Sequence, residues 1–398
     1  MPKDVRPCTI YGDGALLQVK TGRSSPSIIQ VNYAFDKGLA DPDQLLDRYV
    51  TLTAWSEALL VAGADTVGVV QRFHRGARIT RNGVTYLFSD KSSRAFARCA
   101  AETRADVAHV NGMIFPAQTW LLRRALQPDA ALVVQNHSDG GVVGRAPALR
   151  LAGRLNRGVA DGFLFAAHEH AVAWREAGFI APGQPIYQVM EASTSFRPVA
   201  RDEARTITRV EGAPAVLWVG RLNANKDPLT ILDGFERAID QLPNATLTMI
   251  YSEADLIGEV QRRVHASAAL GARVRLVGAV PHADMPAWFS AADLFVVGSH
   301  HEGSGYALME ASACGAVPIV SDIPTFRLLT GGAGALWTPG DAGAFARALV
   351  EVSGRDLIEE RAKLAGYFGR ELTWSAIGRR AMDIYREVVA RRRRVEQH

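Results

Sequence analysis

Cysteine is scarce in this chain of 398 residues, which has Cys8, Cys99 and Cys314 and no others. Three scattered cysteines without a CxxC pair exclude a disulfide framework and a zinc site built on thiolates. No stretch of about 18 uninterrupted apolar residues occurs, so no membrane-spanning helix is expected. The first residues also lack the apolar core of a signal peptide. These absences predict a cytoplasmic protein in a reducing compartment.

Several motifs of nucleotide-binding and hydrolytic enzymes are missing as well. The chain has no GxxxxGK[ST] phosphate loop, no GxGxxG after its first strand, no HExxH and no GxSxG. P-loop hydrolases, zinc peptidases and α/β-hydrolases are therefore excluded. The one DxD sequence is Asp41-Pro42-Asp43, at a predicted helix start, where helix capping explains it better than metal binding. We expect neither a metal nor a bound cofactor.

The charge is distributed unevenly along the chain. Residues 1–200 hold 22 basic and 17 acidic side chains, a net charge of +5, whereas the whole chain has a net charge of +4. Arg150, Arg154 and Arg157 fall on one side of a predicted helix, and Arg391 to Arg394 form a basic terminus that we expect to be frayed. Such clusters favour an anionic acceptor or contact with the inner membrane face, although a solvated helix face is the alternative. Nucleic acid is not an expected partner, because the basic residues are not interleaved with aromatics.

Short apolar runs rich in β-branched residues alternate with segments of helical spacing along the chain. This alternation predicts parallel sheets covered by helices. A polar, proline-punctuated segment at residues 191–214 separates two such series and is typical of a linker. We therefore predict an α/β protein with two doubly wound, Rossmann-like parallel-sheet domains facing a central cleft. Ligands of such sheets bind beyond the carboxyl ends of the strands.

The strand ends of the second half converge on one kind of ligand. Arg221 follows the strand AVLWVG, and Lys226 lies in the same loop. Two cations near a strand end suit a diphosphate, because arginine chelates two oxygens and lysine supplies a point charge. The turn at residues 303–305 contains two glycines and precedes a helix whose free N–H groups suit an anion. Glu302 and Glu310 can accept hydrogen bonds from sugar or ribose hydroxyls. Together these residues predict a nucleotide-sugar site.

The second half resembles the retaining glycosyltransferases of family 4, which have the two-domain GT-B fold. Three segments carry the resemblance: VGRLNANKDP, LVGAVPHADMPAWFSAADLFVVGS and HEGSGYALMEASACGAVPIVSD. The last contains the family's pair of glutamates as Glu302 and Glu310. The match covers residues 214–340, and HVNG and VVQNHSDG agree with the family in the first half. The resemblance implies transfer from a nucleotide-diphosphate sugar, UDP-linked by family frequency or GDP-linked, to an acceptor hydroxyl.

The resemblance also implies roles for single residues. Arg221 and Lys226 would hold the donor diphosphate and stabilise its departure. Glu302 would face the transferred sugar, with the catalytic His137 beside it, and Glu310 would hold the ribose hydroxyls. The remaining donor-binding residues would be Gly220, Gly278, Val280, Gly303, Ser304, Gly305 and Tyr306. The residues expected to border the acceptor or the donor phosphates are Gly38, Asn111, Gly112 and Asp139.

The family pattern divides the chain into an acceptor-binding domain at residues 1–199 and a donor-binding domain at residues 200–372. The last helix, within residues 373–398, would cross back onto the first domain. The acceptor stays open between a saccharide, a lipid-linked sugar and a small molecule. Two alternatives also stay open: a sugar-nucleotide epimerase or phosphorylase on the same fold, and a non-catalytic partner that binds nucleotide sugars. An epimerase would need no acceptor, and a phosphorylase would need phosphate.

Overall fold

The computed structural model describes residues 25–137, 151–154 and 157–396 of the chain. Its contacts group the chain into two compact units: unit 1 is Met1–Ala192 with Trp374–His398, and unit 2 is Ser193–Thr373. Residues 193–199, which the sequence prediction assigns to the first domain, are part of unit 2. One reason is that the backbone N–H of Val199 donates to Ser290 Oγ at 3.0 Å within that unit.

Unit 1 is built on a sheet of eight strands among the described residues. In chain order the strands are β1 (Ile28–Asn32), β2 (Val67–Arg72), β3 (Ala77–Arg81), β4 (Val84–Ser89), β5 (Val107–Asn111), β6 (Ala131–Gln135), β7 (Gly162–Phe165) and β8 (Ile186–Gln188). Their order in the sheet is β3-β4-β2-β1-β5-β6-β7-β8, and β3 is antiparallel to β4. Because the strand order reverses at β1, the carboxyl ends of β1 and β5 flank the position where such sheets bind ligands.

The helices with described bounds before the second unit include α1 (Pro42–Arg48), α2 (Val50–Val61), α3 (Ser93–Ala101), α4 (Pro116–Ala125) and α5 (Ala171–Glu176). The helix that was predicted to start at Asp41 ends at Tyr49, whose backbone leaves the helical region (φ −98°, ψ 64°) and separates α1 from α2. The Tyr49 hydroxyl donates to Asp36 Oδ2 at 2.8 Å, which fixes the break. Asp41 caps α1 by accepting from the backbone N–H of Asp43 at 2.8 Å, as predicted.

Unit 2 contains a parallel sheet that has six strands among its described residues. These are β9 (Ala215–Gly220), β10 (Thr246–Tyr251), β11 (Val274–Gly278), β12 (Leu294–Val297), β13 (Val317–Ser321) and β14 (Ala335–Trp337). Their order is β11-β10-β9-β12-β13-β14, so the order reverses at β9, beside β12. Most apolar side chains of the inner strands β9, β10, β12 and β13 are buried, as expected of parallel strands covered on both faces, whereas Leu336 of the edge strand β14 is exposed.

The helices of unit 2 are α6 (Arg201–Thr208), α7 (Pro228–Ala238), α8 (Ile257–His265), α9 (Ala268–Arg273), α10 (Met285–Ala291), α11 (Tyr306–Ala313), α12 (Pro324–Thr330), α13 (Ala342–Ser353) and α14 (Leu357–Tyr367). The predicted linker is wrong in part, because it contains α6. Arg201 and Arg205 of α6 form ion pairs with Asp293 at 2.6 and 2.9 Å, which hold the helix in place. Helices α8 and α9 are separated at Ser267, whose hydroxyl accepts from Leu270 N at 3.3 Å and caps α9.

The last helix, α15 (Trp374–Glu396), belongs to unit 1. Its Tyr385 hydroxyl is 2.7 Å from His109 Nδ1 in the core of that unit. The basic terminus is helical rather than frayed, which corrects the sequence prediction. The reason is that Arg392 and Arg393 pair with acidic residues of unit 1, namely Asp161 at 3.5 Å and Asp106 at 2.9 Å.

Two arginines of the predicted basic helix face also make structural contacts. Arg154 Nε donates to the Ala177 carbonyl at 3.3 Å, and Arg157 Nε donates to the Gly178 carbonyl at 2.8 Å. These carbonyls follow the end of α5, so both cations contact the end of a helix, while both residues remain exposed. Arg150 lies outside the described residues. None of the helices in the described ranges is long and apolar enough to cross a bilayer.

Candidate functional site

Lys226 and Glu302 meet where the strand order of unit 2 reverses. Lys226 lies in the loop after β9, and Glu302 lies in the turn after β12. Because β9 and β12 are neighbours in the sheet, the segments that follow them converge, and the two charged groups form an ion pair. Each side chain is 15% exposed. Ser299 Oγ also donates to Glu302 Oε1 at 2.8 Å, so the carboxylate is held from two sides.

The loop that carries Lys226 is fixed by its neighbours rather than by Lys226 itself. Asn225 Nδ2 donates to the His301 carbonyl, and His301 N donates back to Asn225 Oδ1, both at 3.0 Å. Asp227 has a left-handed backbone (φ 46°) and caps α7 by accepting from Thr230 N at 3.3 Å. With both flanking residues fixed, the Lys226 ammonium can exchange its partner while the backbone stays in place.

Arg221 is the second predicted cation of this site. Its side chain is 54% exposed, and its guanidinium is 3.6 Å from Glu253, which is also exposed. Such an exposed pair contributes little to stability, so Arg221 is free to contact an anion at low cost. Gly220, just before it, is crowded, because a Cβ there would lie 3.1 Å from the Trp218 ring.

The turn at residues 303–305 leads into α11. Gly305 has φ 64°, and a Cβ at this position would overlap Leu329, so glycine is required. Thr325 Oγ1 donates to the carbonyls of Glu302 and Gly303 at 2.7 and 3.1 Å, which fixes the turn. Because Gly305 has no side chain to cap α11, the helix start can present N–H groups to a bound anion.

Glu310 lies one turn further along α11, and its Oε1 is 2.7 Å from His282 Nε2. Burial raises the pKa of Glu310, and the hydrogen bond with His282 opposes part of this rise. His282 itself is mostly exposed and contacts Phe196, with the ring centroids 4.8 Å apart. It follows the predicted base-binding segment, which begins at Gly278 (φ 84°) and includes Val280. The buried carboxylate is therefore close to the segment expected to contact the nucleoside.

Unit 1 has a separate cavity of about 400 Å³ at the carboxyl ends of its central strands. Helix α2 and the loop after β1 supply an apolar wall that includes Leu52 and Trp55. The strands supply a polar floor made largely of amide side chains. These are Gln30 and Asn32 of β1, Gln71 of β2, Asn111 of β5 and Gln135 of β6.

The hydrogen bonds beneath this floor have one direction. The Leu52 carbonyl can only accept, so the Ser56 hydroxyl donates to it at 2.8 Å. Ser56 Oγ then accepts from Gln30 Nε2 at 2.5 Å. Gln30 Oε1 in turn accepts from Asn111 Nδ2 at 3.2 Å, and Asn32 Oδ1 accepts from the same nitrogen at 2.6 Å. Asn111 must therefore turn its carbonyl oxygen towards its remaining neighbour.

That remaining neighbour is His137, whose Nε2 is 3.0 Å from Asn111 Oδ1. The other ring nitrogen, Nδ1, contacts the carboxylate of Glu191, whose side chain is buried. Both ring nitrogens of His137 are therefore occupied by groups of unit 1. His109 lies below this network and is fully buried, and burial lowers its pKa to about 3, so it is neutral.

Several predicted site residues are brought together, each within its own unit. Lys226 contacts Glu302 in unit 2, and Asn111 contacts His137 in unit 1. These contacts do not test the roles assigned to the residues, which stay predictions.

The glycines predicted to border the acceptor or the donor phosphates make hydrogen bonds within unit 1. Gly38 N donates to Asp36 Oδ1 at 2.8 Å, so its N–H is used inside its own loop. Gly112 has φ 105° and donates to the Gln135 carbonyl at 2.9 Å, which explains the glycine structurally. Asp139 lies outside the described residues.

The sequence interpretation missed Gln30, Gln135 and Glu191 in unit 1 and His282 in unit 2. A signal for the first two was present, because amides are unusual inside strands that otherwise read as continuous apolar runs. Glu191 stood at the start of the predicted linker and gave no local signal. His282 was within the resembling segment but was not singled out.

Comparisons with known proteins agree with this geometry. Residues 213–354 match the family described as glycosyl transferases group 1. The chain is 29% identical over 274 residues to GDP-mannose:cellobiosyl-diphosphopolyprenol alpha-mannosyltransferase of Xanthomonas campestris, a match that covers 65% of this chain and 66% of the relative. It is also 29% identical to phosphatidyl-myo-inositol mannosyltransferase of Mycobacterium tuberculosis strain ATCC 25618 / H37Rv, over 47% of this chain and 52% of the relative. The chain thus spans between half and two thirds of the length of these two relatives.

The fold has solved counterparts. Sucrose-phosphate synthase from Thermosynechococcus elongatus superposes with a TM-score of 0.67 at 19% identity, over 92% of this chain and all of that one. At this identity the likeness bears on the fold, and it agrees with two parallel-sheet α/β units of the GT-B type. Together, these findings show that residues 213–354 are similar to the group 1 glycosyltransferases and that the chain has a GT-B type fold.

Proposed function

We propose that the chain transfers a sugar from a nucleotide-diphosphate donor to an acceptor hydroxyl, with retention of the anomeric configuration and without a metal. The observation that carries the proposal is the Lys226–Glu302 pair at the strand-order reversal of a group 1 glycosyltransferase domain. Both named relatives are mannosyltransferases, which supports transfer of a hexose.

The chemistry follows from the charge that develops. The bond between the anomeric carbon and the diphosphate oxygen breaks, which leaves a cation-like sugar and a more negative nucleotide diphosphate. Fixed positive charge at the leaving group is the largest help available. Lys226, Arg221 and the start of α11 would supply it. On donor binding the Lys226 ammonium would exchange Glu302 for a phosphate oxygen, and Glu302 would accept from sugar hydroxyls. Neither group would be left buried without a partner, which would be costly.

The directed hydrogen bonds of unit 1 restrict the proton's path. Both ring nitrogens of His137 contact groups of unit 1, so His137 would not act as the general base while these contacts are kept. Its role would be to hold Asn111 and Glu191 in place beside the reacting sugar. The acceptor oxygen would form the new bond to the anomeric carbon, and its proton would pass to the departing phosphate oxygen. This balances the reaction without another base.

The sequence favours a UDP-linked donor by family frequency, whereas the Xanthomonas relative is named for GDP-mannose. We therefore put GDP-mannose first and UDP-glucose second. The acceptor of that relative is linked to a diphosphopolyprenol, which supports an acceptor presented at a membrane surface.

A thermal-shift panel of GDP- and UDP-sugars tests donor binding directly. A donor at 100 times its Kd stabilises the protein by about 2.7 kcal/mol, which is easily measured. Nucleotide release is then followed with and without an acceptor extract. Release that requires an acceptor supports transfer, release or donor conversion without one supports an epimerase, and a need for phosphate supports a phosphorylase. Donor binding without any turnover would support a non-catalytic role.

A further inference from the structure

Two loops of unit 2 meet twice at the point where Lys226 lies. The first loop follows β9 and carries Lys226 and Asp227, and the second follows β12 and carries His300 and Glu302. Lys226 forms its ion pair with Glu302. The next residue of the first loop makes a second contact, because Asp227 Oδ2 lies 3.2 Å from His300 Nε2. The same two loops are therefore joined by two separate contacts.

Asp227 is an unusual residue for its backbone conformation. Its φ is 46°, which lies in the left-handed region that glycine adopts without steric cost. Aspartate visits this region more readily than most residues, and it supplies a carboxylate that glycine lacks. Asp227 Oδ1 accepts from Thr230 N at 3.3 Å and caps α7, which is a local contact. The other oxygen faces His300, which is 73 positions away, and capping a helix does not require this second contact.

His300 contacts the residues on both sides of Lys226. Its backbone N–H donates to the Asn225 carbonyl at 2.9 Å, and its ring faces Asp227. An ionised carboxylate only accepts hydrogen bonds, so Nε2 carries a hydrogen and donates. The backbone also passes close to the ring, because a Cβ at Gly340 would lie 3.6 Å from Cε1 of His300. His300 thus holds the backbone at Lys226 through the two neighbours of this lysine in the chain.

The two contacts between the loops would respond differently to a donor. In the proposed mechanism the Lys226 ammonium leaves Glu302 for a phosphate oxygen, so the ion pair no longer joins the loops. The contact between Asp227 and His300 uses neither of these groups and would stay. Lysine is a point charge on a flexible stem, so the position of its ammonium depends on where its backbone is held.

We propose that His300 is a positioning residue, which holds the Lys226 loop in place through Asp227 while Lys226 contacts the leaving diphosphate. The assignment rests on the proposed function, because that function gives Lys226 its role at the phosphate. A fixed cation stabilises a developing negative charge better than a mobile one, since no reorganisation is needed at the moment of reaction. His300 would therefore contribute more to kcat than to donor binding.

The first test removes the imidazole and then restores its N–H. His300→Ala should lower kcat about tenfold and change the donor KM less than about threefold, because the alignment of Lys226 matters most in the transition state. His300→Gln places an amide N–H near the position of Nε2 and should return kcat to within about twofold of the wild type. Both constants are measured by nucleotide release from GDP-mannose and UDP-glucose with an acceptor extract. His265→Ala removes an exposed imidazole at the end of α8 and should leave kcat unchanged.

The second test asks whether the effect of His300 passes through Asp227. Asp227→Asn tolerates the left-handed backbone and keeps an oxygen that caps α7, but it removes the carboxylate that the ring faces. This variant should also lower kcat, and the double variant should be no slower than the slower single variant. Additive losses would mean that the two residues act separately and would overturn the proposal. A kcat of His300→Ala within about twofold of the wild type would overturn it as well.

Hydrogen exchange on the full chain without a donor gives a readout besides activity. The backbone N–H groups of Lys226 and Asp227 donate to the Asn223 carbonyl at 3.1 and 3.2 Å, so their protection reports the order of this loop. His300→Ala should lower this protection several-fold, and His300→Gln should restore it. Unchanged protection in His300→Ala would overturn the proposal whether or not a donor binds.

The results also separate this proposal from the proposed function. If no donor shifts the Tm of the wild type but His300→Ala lowers the protection of the loop, glycosyl transfer is contradicted and His300 still holds the Lys226 loop. If the donor shift and turnover of the wild type are normal but His300→Ala changes neither kcat nor protection, only the role of His300 is wrong.

Discussion

The two units place different chemistry at the same point of related sheets. In unit 1 the segments after β1 and β5 meet over a row of amides, which bond to one another in a fixed direction. In unit 2 the segments after β9 and β12 meet as an ion pair between Lys226 and Glu302. The sheet decides where a ligand can bind, because strand order creates the crevice. The side chains at the strand ends decide which ligand it is.

The two sites also differ in how easily their side chains can exchange one hydrogen-bond or ion-pair partner for another. The amides of unit 1 are linked from Leu52 to Asn111, so moving one disturbs the others. The ion pair of unit 2 joins two charges on a fixed backbone, and in the proposed mechanism a donor takes the place of each partner. A neutral, preorganised site suits recognition of hydroxyls, whereas an exchangeable cation suits a leaving group whose charge grows during the reaction.

Among the changes that probe this comparison, removal of the Lys226 ammonium from unit 2 should have the largest effect on activity. Lys226→Ala should lower kcat by about 100-fold or more, because the leaving diphosphate loses a fixed positive charge. The measurement is nucleotide release at saturating donor and acceptor. Lys363→Ala removes an exposed lysine of α14 and should leave kcat unchanged. A kcat near that of the wild type in Lys226→Ala would remove this residue from the mechanism.

The dependence of unit 1 on α15 can be tested at Gly378. A Cβ there would overlap the Ala58 carbonyl of α2, so Gly378→Ala should destabilise the protein by about 1–3 kcal/mol. This corresponds to a decrease in Tm of several degrees, and hydrogen exchange should localise the lost protection to unit 1. Gly366→Ala in α14 faces only the flexible end of Arg370 and should be neutral or stabilising. Equal Tm values for Gly378→Ala and Gly366→Ala would argue against the contact between α2 and α15.

The directed network of unit 1 can be broken at Glu191. Glu191→Gln keeps the shape of the side chain but removes the anion that accepts from His137. We expect kcat to decrease about tenfold, because a charge-assisted hydrogen bond is lost, while donor binding in unit 2 is unchanged. Glu102→Gln, at an exposed position, controls for the change of charge. If kcat stays within about twofold of the wild type, the orientation of His137 does not depend on this carboxylate.

The smallest expected effect is a pH dependence of donor binding in unit 2. Burial raises the pKa of Glu310, so this carboxylate gains a proton at a less acidic pH than an ordinary glutamate. The protonated form is a poorer acceptor for two hydroxyls. Donor Kd should therefore rise a few-fold as the pH falls through the raised pKa. Calorimetric titrations across the pH range should show this rise in the wild type and a flat profile in Glu310→Gln.

His282→Ala sharpens the same experiment. The hydrogen bond from His282 opposes the rise in the pKa of Glu310, so its removal should shift the loss of donor binding to higher pH. An identical pH profile in both proteins would mean that another group controls the titration.

The strands and the charged strand ends of unit 2 could be predicted because their signals are local. Each buried strand is an apolar run; Arg221 follows β9 directly, and Glu302 lies five residues after the end of β12. The division at Tyr49 could not be predicted, because it depends on a hydrogen bond to Asp36, outside the helix. The antiparallel strand β3 was also missed, since its sequence is polar and its side chains are largely exposed.

The chain by itself determined that two series of strands and helices exist and that the second carries cations and carboxylates at its strand ends. These properties depend on hydrophobic periodicity and on neighbours along the backbone. Tertiary structure alone decided that Glu191 meets His137 across 54 positions and that Asn111 links Gln30 to this pair. It also decided that the basic residues near the end of α15 pair within unit 1. Contacts of this kind depend on which strands become neighbours, and no local pattern specifies that.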